Sequence, residues 1–331
     1  MTDITSSAPR HPTRREIVAL GIGAFVVASV PLARRRARLV RRTMPAMGTI
    51  VEVALVHRDP RYAQAAMDAA LARMATVERI MTRFDPRSDV GRANLGAARE
   101  AVLVTPATAA VIAAALGWAH ASEGAFDPCL GETIALWDVE HRQEPPQPGA
   151  VRRLAGRSLY RALGLDSHRG HPAVRFGDRN LQVDLGGIAK GYAVDQAVVT
   201  LRDWGITQAF VAAGGDLYAM GESDHGGPWQ VGVRDPKNPD GVMATLPLSD
   251  AAVATSGDYF RYFDYQGRRY HHILDPATAA PRLTAEHSVS VAASSCMTAD
   301  AAATTVFGMA PERAAQVLLA HAPDARVVSH A

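Results

Sequence analysis

The chain has 331 residues, of which 48% are hydrophobic and 21% charged, and this composition is typical of a globular protein. Its formal net charge of +2 is unevenly distributed, because residues 1–42 carry nine arginines against two acids. Residues 43–331 carry 26 basic and 31 acidic side chains. A nucleic-acid-binding protein is expected to present a basic face, so the mildly acidic body argues against that class.

The N-terminus has the features of a targeting segment. Residues 17–33 carry no charge and closely follow the pair Arg14-Arg15. A twin arginine before such a run is typical of an export signal, and the run is shorter than the roughly 20 residues of a comfortable membrane span. We therefore expect a twin-arginine-type signal in residues 1–42, a folded domain in 43–331, and a periplasmic location. A retained N-terminal membrane anchor and a buried helix are the alternatives.

The predicted elements of the body mix strands and helices. In chain order they are a strand over 49–55, helices over 63–81 and 107–120, a surface excursion over 140–172, a strand over 181–185, a helix over 189–204, strands over 208–212, 229–233, 253–255 and 288–292, helices beginning near Thr298 and at Pro311, and a closing strand over 326–329. No regular βαβ repeat and no linker interrupts the body, so we expect one α+β domain.

Two cysteines, Cys129 and Cys296, lie far apart in the chain, each among apolar or small residues. Export would place them in an oxidising compartment, where a pair could form. Because small apolar surroundings favour burial of a thiol, we expect two buried free cysteines.

A glycine-rich segment, DLGGIAKGY over residues 184–192, joins a predicted strand to a predicted helix. Paired glycines allow a ligand to approach the backbone closely, and the free N–H groups at a helix start favour a phosphate. Lys190 could add a positive charge. The segment matches neither the P-loop nor the GxGxxG pattern, and such a turn also occurs with no ligand.

Asp300 and Thr304 are four residues apart in a predicted helix, so they share one face. Their oxygen atoms suit a hard cation such as Mg²⁺, which usually keeps waters and binds substrate phosphates. A helix-capping acid beside a packed threonine would give the same pattern.

Two neighbouring histidines, His271 and His272, precede Asp275-Pro276. Adjacent residues of a strand point to opposite faces, so at most one of them reaches a given site. Histidine is a plausible general base near neutral pH, although a lone histidine is more often structural.

Taken together, these segments resemble the FAD:protein FMN transferases, or ApbE-type flavin transferases, over about residues 44–310. The matching pieces, in family order, are Met47-Gly48-Thr49, MTRFD over 81–85 continuing through Ser88 to Asn94, GAFDP over 124–128, DLGGIAKGY over 184–192, AGGD over 213–216, VRDP over 233–236, TSGDY over 255–259, HHILDP over 271–276 and ADAAAT over 299–304. Each piece is weak alone, and the ordered set is specific.

The resemblance implies roles for several of the matching residues. His272 matches the histidine linked to catalysis, and the Ala189 carbonyl, Asp300 and Thr304 would bind Mg²⁺. Asp258 and Asp275 match residues that position other groups. Residues expected to contact FAD are Met47, Gly48, Thr49, Phe84, Phe126, Asp127, Asp184, Gly187, Lys190, Ser256, Gly257 and Asp258.

The activity implied is Mg²⁺-dependent transfer of FMN from FAD to a serine or threonine hydroxyl of a redox protein, with release of AMP. FAD is then a substrate, and the acceptor is a periplasmic or membrane-bound electron-transfer subunit. Two alternatives stay open: an FAD pyrophosphatase that uses water as acceptor, and an exported flavin-binding protein without chemistry.

Two positions depart from the family pattern. Ala279 stands where the family usually has glycine in the turn Thr278-Ala279-Ala280-Pro281, and Glu132-Thr133 stand where it often has Pro-Leu. Neither position is a proposed metal ligand, so these changes bear on substrate fit.

Overall fold

The computed structural model describes residues 25–27, 38–236 and 238–331. Arg14-Arg15 and most of the apolar run of residues 17–33 lie outside the described residues. Within the described part, no helix has both the length and the apolar character needed to cross a membrane.

The described residues form an α+β fold, as expected. Its helices are α1 (Pro60–Met81), α2 (Asp89–Gly96), α3 (Pro106–Ala121), α4 (Gly131–Trp137), α5 (Pro148–Leu154), α6 (Ala189–Asp203), α7 (Cys296–Val306) and α8 (Pro311–His321), and a short 3₁₀ turn spans Leu159–Ala162. Its strands are β1 (Phe25–Val27), β2 (Arg38–Ala46), β3 (Thr49–His57), β4 (Val102–Leu103), β5 (Leu163–His168), β6 (His171–Phe176), β7 (Ala209–Ala213), β8 (Asp216–Met220), β9 (Trp229–Asp235), β10 (Asn238–Leu248), β11 (Ala251–Gly257), β12 (Tyr262–Tyr265), β13 (Arg268–His271), β14 (Leu274–Asp275), β15 (Ala280–Pro281), β16 (Ser288–Ala293) and β17 (Arg326–His330).

The centre of the fold is a seven-stranded antiparallel sheet in the order β17-β16-β11-β8-β7-β3-β2. Alternate side chains of each strand face opposite sides. Val51, Val53 and Leu55 of β3 face the core formed with helices α1, α6 and α7. Ala54 belongs to a second core, in which Trp229 of β9 packs against the other face of the sheet. Both faces of the sheet are therefore covered.

The edge strand β2 begins at Arg38, before the boundary that we expected at residue 43. It pairs with β3 over its whole length, from Arg38 opposite His57 to Ala46 opposite Thr49. Residues 38–42 are thus part of the central sheet. β1, which lies in the apolar run, pairs with β9 in a separate three-stranded sheet of order β1-β9-β10.

One sequence-based assignment was wrong, and another was incomplete. Residues 181–185 form no strand: this extended segment is bonded by the side-chain amide of Asn94, which accepts from Val183 N at 2.7 Å and donates to Val183 O at 2.9 Å. The excursion predicted over 140–172 does lie at the surface, with few buried residues, but it contains helix α5 and strand β5, which forms a hairpin with β6. The hairpin of β12 and β13 was also missed.

Helices α6 and α7 approach closely at Gly191. A Cβ atom at this position would lie 2.3 Å from the Cys296 carbonyl oxygen and 2.8 Å from Asp300 Cβ. These separations are far below van der Waals contact, so any larger residue must force the two helices apart. Gly191 therefore sets how near Asp300 comes to the start of α6.

Gly191→Ala is expected to lower the free energy of unfolding by about 2–3 kcal/mol, because overpacking of a tight contact displaces backbone. Urea denaturation measures the change. Gly149→Ala is the matched control, since Gly149 is also helical and no atom lies within 4 Å of its added Cβ. Equal stability of the two variants would contradict the close approach.

Asp195 of α6 caps the N-terminus of α7. Its carboxylate accepts from Cys296 N at 2.8 Å and Met297 N at 2.9 Å. Burial nevertheless raises the pKa of Asp195 to about 6, although the two backbone hydrogen bonds oppose the shift. The Asp195 carboxyl therefore binds a proton more tightly in the folded state than in the unfolded state, where its pKa is near 3.9.

The free energy of unfolding should consequently fall as pH rises from the unfolded-state pKa of Asp195 towards its folded-state pKa of about 6. Relative to Asp195→Asn, the wild-type chain should lose about 2 kcal/mol of unfolding free energy between about pH 4.5 and about pH 6.5. Denaturation curves of both proteins across this range measure the difference. A difference that does not vary with pH would show that the pKa of Asp195 is not raised.

Candidate functional site

The glycine turn at residues 184–188 leads directly into helix α6. Gly186 N donates to the Asp184 carboxylate at 2.8 Å, which fixes the turn. A Cβ at Gly187 would lie 3.1 Å from Thr304 Cγ2 and 3.3 Å from Phe126, so a side chain would crowd the place where the turn meets α7. The residue before α6, Ile188, has no side chain that can cap the helix, and the Asp300 carboxylate is instead the side-chain acceptor for a backbone N–H of its first turn.

Asp300 and Thr304 face the glycine turn from α7. Gly191 N donates to Asp300 Oδ2 at 3.0 Å, so the first turn of α6 lies against this carboxylate. Thr304 Oγ1 lies 3.4 Å from Ser256 Oγ at the end of β11. Ala189, the first residue of α6, is buried one position before Lys190. The three expected metal ligands therefore converge on one region.

Lys190 lies between two buried carboxyl groups. Its ammonium is 3.0 Å from Asp216 Oδ2 and 3.4 Å from each oxygen of Asp300. Burial opposes the charged form of Lys190, but attraction to the two acids outweighs it and raises its pKa. Burial and the Asp300 charge raise the pKa of Asp216 to about 7, although Lys190 opposes the shift. Two acids thus share one ammonium in this cluster.

Asp216 was not among the predicted site residues, although it ends the AGGD segment. The preceding turn explains its position. Gly214 has φ +64°, and a Cβ there would lie 2.7 Å from Thr49 Oγ1. A Cβ at Gly215 would lie 2.6 Å from the Thr255 carbonyl oxygen. The two glycines let β8 start close to β3 and β11, which brings Asp216 to Lys190.

Met47 and Gly48 form the turn between β2 and β3. Both have positive φ, +55° and +65°, which matches the type I′ hairpin. Met47 N donates to Glu78 Oε1 of α1 at 2.9 Å, and the Gly48 carbonyl accepts from Arg261 at 2.8 Å. Thr49 adjoins the Gly214 turn, so the Met47-Gly48-Thr49 segment borders the same part of the sheet as Asp216.

His271 and His272 have different environments. His271 is buried, with Nε2 3.0 Å from the Arg282 carbonyl oxygen, so it supports the structure. His272 donates its backbone N–H to the Arg261 carbonyl at 3.1 Å. Burial and the positive charge of Arg261 lower the pKa of His272 to about 3, and Lys190 contributes to the shift. Its imidazole is therefore neutral at physiological pH.

Phe84 is 80% exposed, which is unusual for a large aromatic side chain. The Arg83 guanidinium lies 4.4 Å from the centre of its ring, and Arg83 Nε lies 2.7 Å from Asp184 Oδ2. The Arg83–Asp184 ion pair ties the loop carrying Phe84 to the glycine turn, so an exposed aromatic surface borders the turn.

Phe126 and Asp127 play different parts in the structure. Phe126 packs against Gly187 at the glycine turn. The Asp127 carboxylate accepts from Cys129 N at 2.8 Å and Tyr160 N at 3.4 Å, and burial raises its pKa. The Asp127 oxygens thus hold the local backbone and do not belong to the cluster around Lys190.

Both cysteines are free and buried, as expected.

Gly257 and Asp258 follow Ser256 at the end of β11. Asp258 Oδ2 lies 2.9 Å from His287 Nδ1, and Asp258 Oδ1 lies 3.4 Å from Arg269 Nη1. A Cβ at Gly257 would lie 2.9 Å from the His287 carbonyl oxygen. Asp258 therefore holds neighbouring strands together, in keeping with a positioning role.

Arg282 connects three segments around the site and was missed by the sequence analysis. Its Nη1 donates to the carbonyl oxygens of Thr304 at 3.2 Å, Thr305 at 2.9 Å and Phe307 at 2.6 Å, at the C-terminus of α7. Its Nη2 donates to the Ala125 carbonyl beside Phe126. A positive charge at this end of a helix satisfies carbonyls that lack partners in the helix.

The two departures from the family pattern are accommodated locally. Ala279 is buried with φ +54°, a conformation that costs an alanine roughly 1 kcal/mol, and its carbonyl accepts from Trp137 Nε1 at 2.7 Å. Glu132 forms an ion pair with Arg157 at 3.2 Å. Both residues lie on the side of the molecule that holds α4 and α5.

Known proteins resemble this chain over most of its length. The profile of the ApbE family matches residues 47–328. The FAD:protein FMN transferase of Treponema pallidum (strain Nichols) is 32% identical over 300 residues, which cover 86% of this chain and 83% of that protein.

Two solved structures share the fold. The crystal structure of the ApbE protein from Thermotoga maritima has a TM-score of 0.78 and 33% identity, and the match covers 88% of this chain and 93% of that one. The flavin transferase ApbE from Vibrio cholerae has a TM-score of 0.74 and 29% identity, with 86% and 91% covered. The chain therefore belongs to the ApbE family.

Proposed function

We propose that this chain transfers the FMN part of FAD to a serine or threonine hydroxyl of an acceptor redox protein, with Mg²⁺ bound and AMP released. The observation that carries the proposal is the cluster of Lys190, Asp216 and Asp300 at the start of α6. Such a site offers an ammonium group for a phosphate and carboxylates for a cation, the two needs of a pyrophosphate with its metal.

The donor set fits Mg²⁺. Asp300 and Thr304 offer a carboxylate and a hydroxyl, Ala189 adds a backbone carbonyl, and all are hard oxygen donors. No group of three or more His, Cys, Asp or Glu side chains suited to a metal occurs in the described residues. An ion held here would complete its shell with water and phosphate oxygens, as Mg²⁺ commonly does. When bound, Mg²⁺ stabilises negative charge on the pyrophosphate.

The protein residues then position the reacting groups. Met47, Gly48 and the glycine turn would hold FAD, and Phe84 would lie against the isoalloxazine ring. The acceptor hydroxyl oxygen forms a bond to the FMN phosphorus, the bond from that phosphorus to the oxygen of AMP breaks, and AMP leaves. His272, which is neutral at physiological pH, accepts the hydroxyl proton directly or through water. Such chemistry needs mainly positioning and charge stabilisation.

The acceptor and the location complete the proposal. A transferase exported by the twin-arginine-type signal at Arg14-Arg15 would meet periplasmic or membrane-bound electron-transfer proteins. Retention of residues 17–33 as an N-terminal anchor would keep it at the membrane, and β1 would then have to leave its place beside β9. Detection of the chain in the periplasmic fraction, and its loss with Arg14→Lys and Arg15→Lys together, tests the export route.

Intact mass spectrometry tests the activity. The full chain is incubated with FAD, Mg²⁺ and an acceptor domain that carries a flavinylation motif. A mass gain of one FMN on the acceptor, lost with EDTA or when the acceptor hydroxyl is removed, is the expected result. Free FMN and AMP without acceptor modification would instead identify a pyrophosphatase, and unchanged FAD would identify a flavin carrier.

A further inference from the structure

Arg261 lies between the Met47-Gly48 turn and His272, and its side chain has two partners. Nη2 donates to the Gly48 carbonyl oxygen at 2.8 Å, and Nη1 lies 3.0 Å from Glu140 Oε1. A Cβ at Gly48 would lie 3.1 Å from Arg261 Nη2, so glycine permits this approach. The guanidinium therefore fixes residue 261 to the turn between β2 and β3 and to the loop after α4.

The backbone of Arg261 binds the histidine. Its carbonyl oxygen accepts from His272 N at 3.1 Å and lies 3.3 Å from His272 Nδ1. A carbonyl oxygen only accepts hydrogen bonds, so the ring contact requires the proton on Nδ1. His272 Nε2 is then the unprotonated nitrogen, the form that a proton acceptor needs.

We infer that Arg261 is a positioning residue that couples the Met47-Gly48 turn to the tautomer and orientation of His272. The side chain of Arg261 binds the turn. Its carbonyl oxygen keeps the proton on Nδ1 of His272, so that Nε2 is the nitrogen that faces the reacting hydroxyl. This inference rests on the proposed function, because it gives His272 the role of proton acceptor in that reaction.

A contribution to folding stability does not by itself explain the contacts of the Arg261 side chain. The Arg261–Glu140 pair is partly exposed, with 41% and 51% of the two side chains accessible, and such ion pairs contribute little to folding. Variants at Arg261 are therefore expected to fold. Arg268 on strand β13 of the same region is an exposed arginine that lies over the Tyr270 ring, and Arg268→Met is the matched control.

The first test is nitrogen NMR of the full chain labelled with ¹⁵N-histidine. Signals that vanish in His272→Asn identify the ring nitrogens of His272. We expect the Nδ1–H tautomer in the wild type and in Arg268→Met, and a mixture of tautomers in Arg261→Met. Retention of the pure Nδ1–H tautomer in Arg261→Met would overturn the inference.

The second test is kinetic. Arg261→Met should lower kcat for FMN transfer by at least about tenfold and change KM for FAD by less than about threefold, since orientation of the base acts on the chemical step. Arg261→Lys can reach one of the two acceptors and should give an intermediate kcat. A kcat equal to that of Arg268→Met, or a fall in kcat without a change of tautomer, would overturn the inference. If the wild type transfers no FMN, the proposed function fails, and the NMR comparison still decides the coupling.

Discussion

Asp300→Asn is expected to lower the rate of FMN transfer by about 10³-fold, which corresponds to roughly 4 kcal/mol of lost charge stabilisation. The substitution keeps the size of the side chain and one oxygen, but it removes the charge that would hold Mg²⁺. Asparagine can still accept from Gly191 N, the contact that Asp300 makes at 3.0 Å, and Lys190 keeps Asp216 as partner. The fold should therefore persist while activity is lost.

Single-turnover mass spectrometry over a range of Mg²⁺ concentrations measures this effect. Asp203→Asn, at the exposed C-terminal end of the same helix that carries Lys190, is the matched control and should leave the rate unchanged. If Asp300→Asn transferred FMN within about tenfold of the wild-type rate at saturating Mg²⁺, the assignment of Asp300 as a ligand would be wrong.

Arg282→Met is expected to lower the free energy of unfolding by about 3–5 kcal/mol, and so Tm by roughly 10 °C. Methionine fills a similar volume but donates no hydrogen bond. The carbonyls of Thr304, Thr305 and Phe307 would then lose the donor that they share, at the end of α7 that carries Thr304. Each hydrogen bond from a charged donor contributes about 1.5–3 kcal/mol, and the contributions of a shared group are not additive.

Thermal and urea unfolding of the variant measure the loss. Arg153→Met is the matched control, because Arg153 is an exposed arginine on helix α5 and its replacement should change the free energy by less than about 0.5 kcal/mol. Similar stability of the two variants would mean that water replaces the guanidinium at the end of α7.

Helix α1 was predictable from the sequence because its apolar residues recur with the helical period, whereas the short helices α2, α4 and α5 were missed. The helix predicted over 63–81 is α1, whose buried side chains are the ones that recur at three- and four-residue steps. Residues 181–185 show why strands were harder. Their alternation reflects a half-buried extended segment, but its backbone bonds to Asn94 and to the Pro128 carbonyl instead of a neighbouring strand.

The proximity of Lys190, Asp300 and Thr304 to the glycine turn was predictable, because local motifs carry all three residues. Residues whose partners lie far away in the sequence were not predictable. Asp216 reaches Lys190 only because of the glycine turn between β7 and β8. Arg282 and Arg261 lie in segments whose local sequence suggests no ligand. Their roles depend on which backbone groups the tertiary fold brings within reach.

All the acceptors that Arg282 uses on α7 and beside Phe126 are main-chain carbonyls. Every amino acid supplies such an oxygen, so residues 125, 304, 305 and 307 can change identity without removing the contact. Statistical coupling between columns of an alignment would therefore not detect this connection. A chimera that exchanged residues around Ala125 between relatives should retain it, as long as the arginine and the path of the backbone are kept.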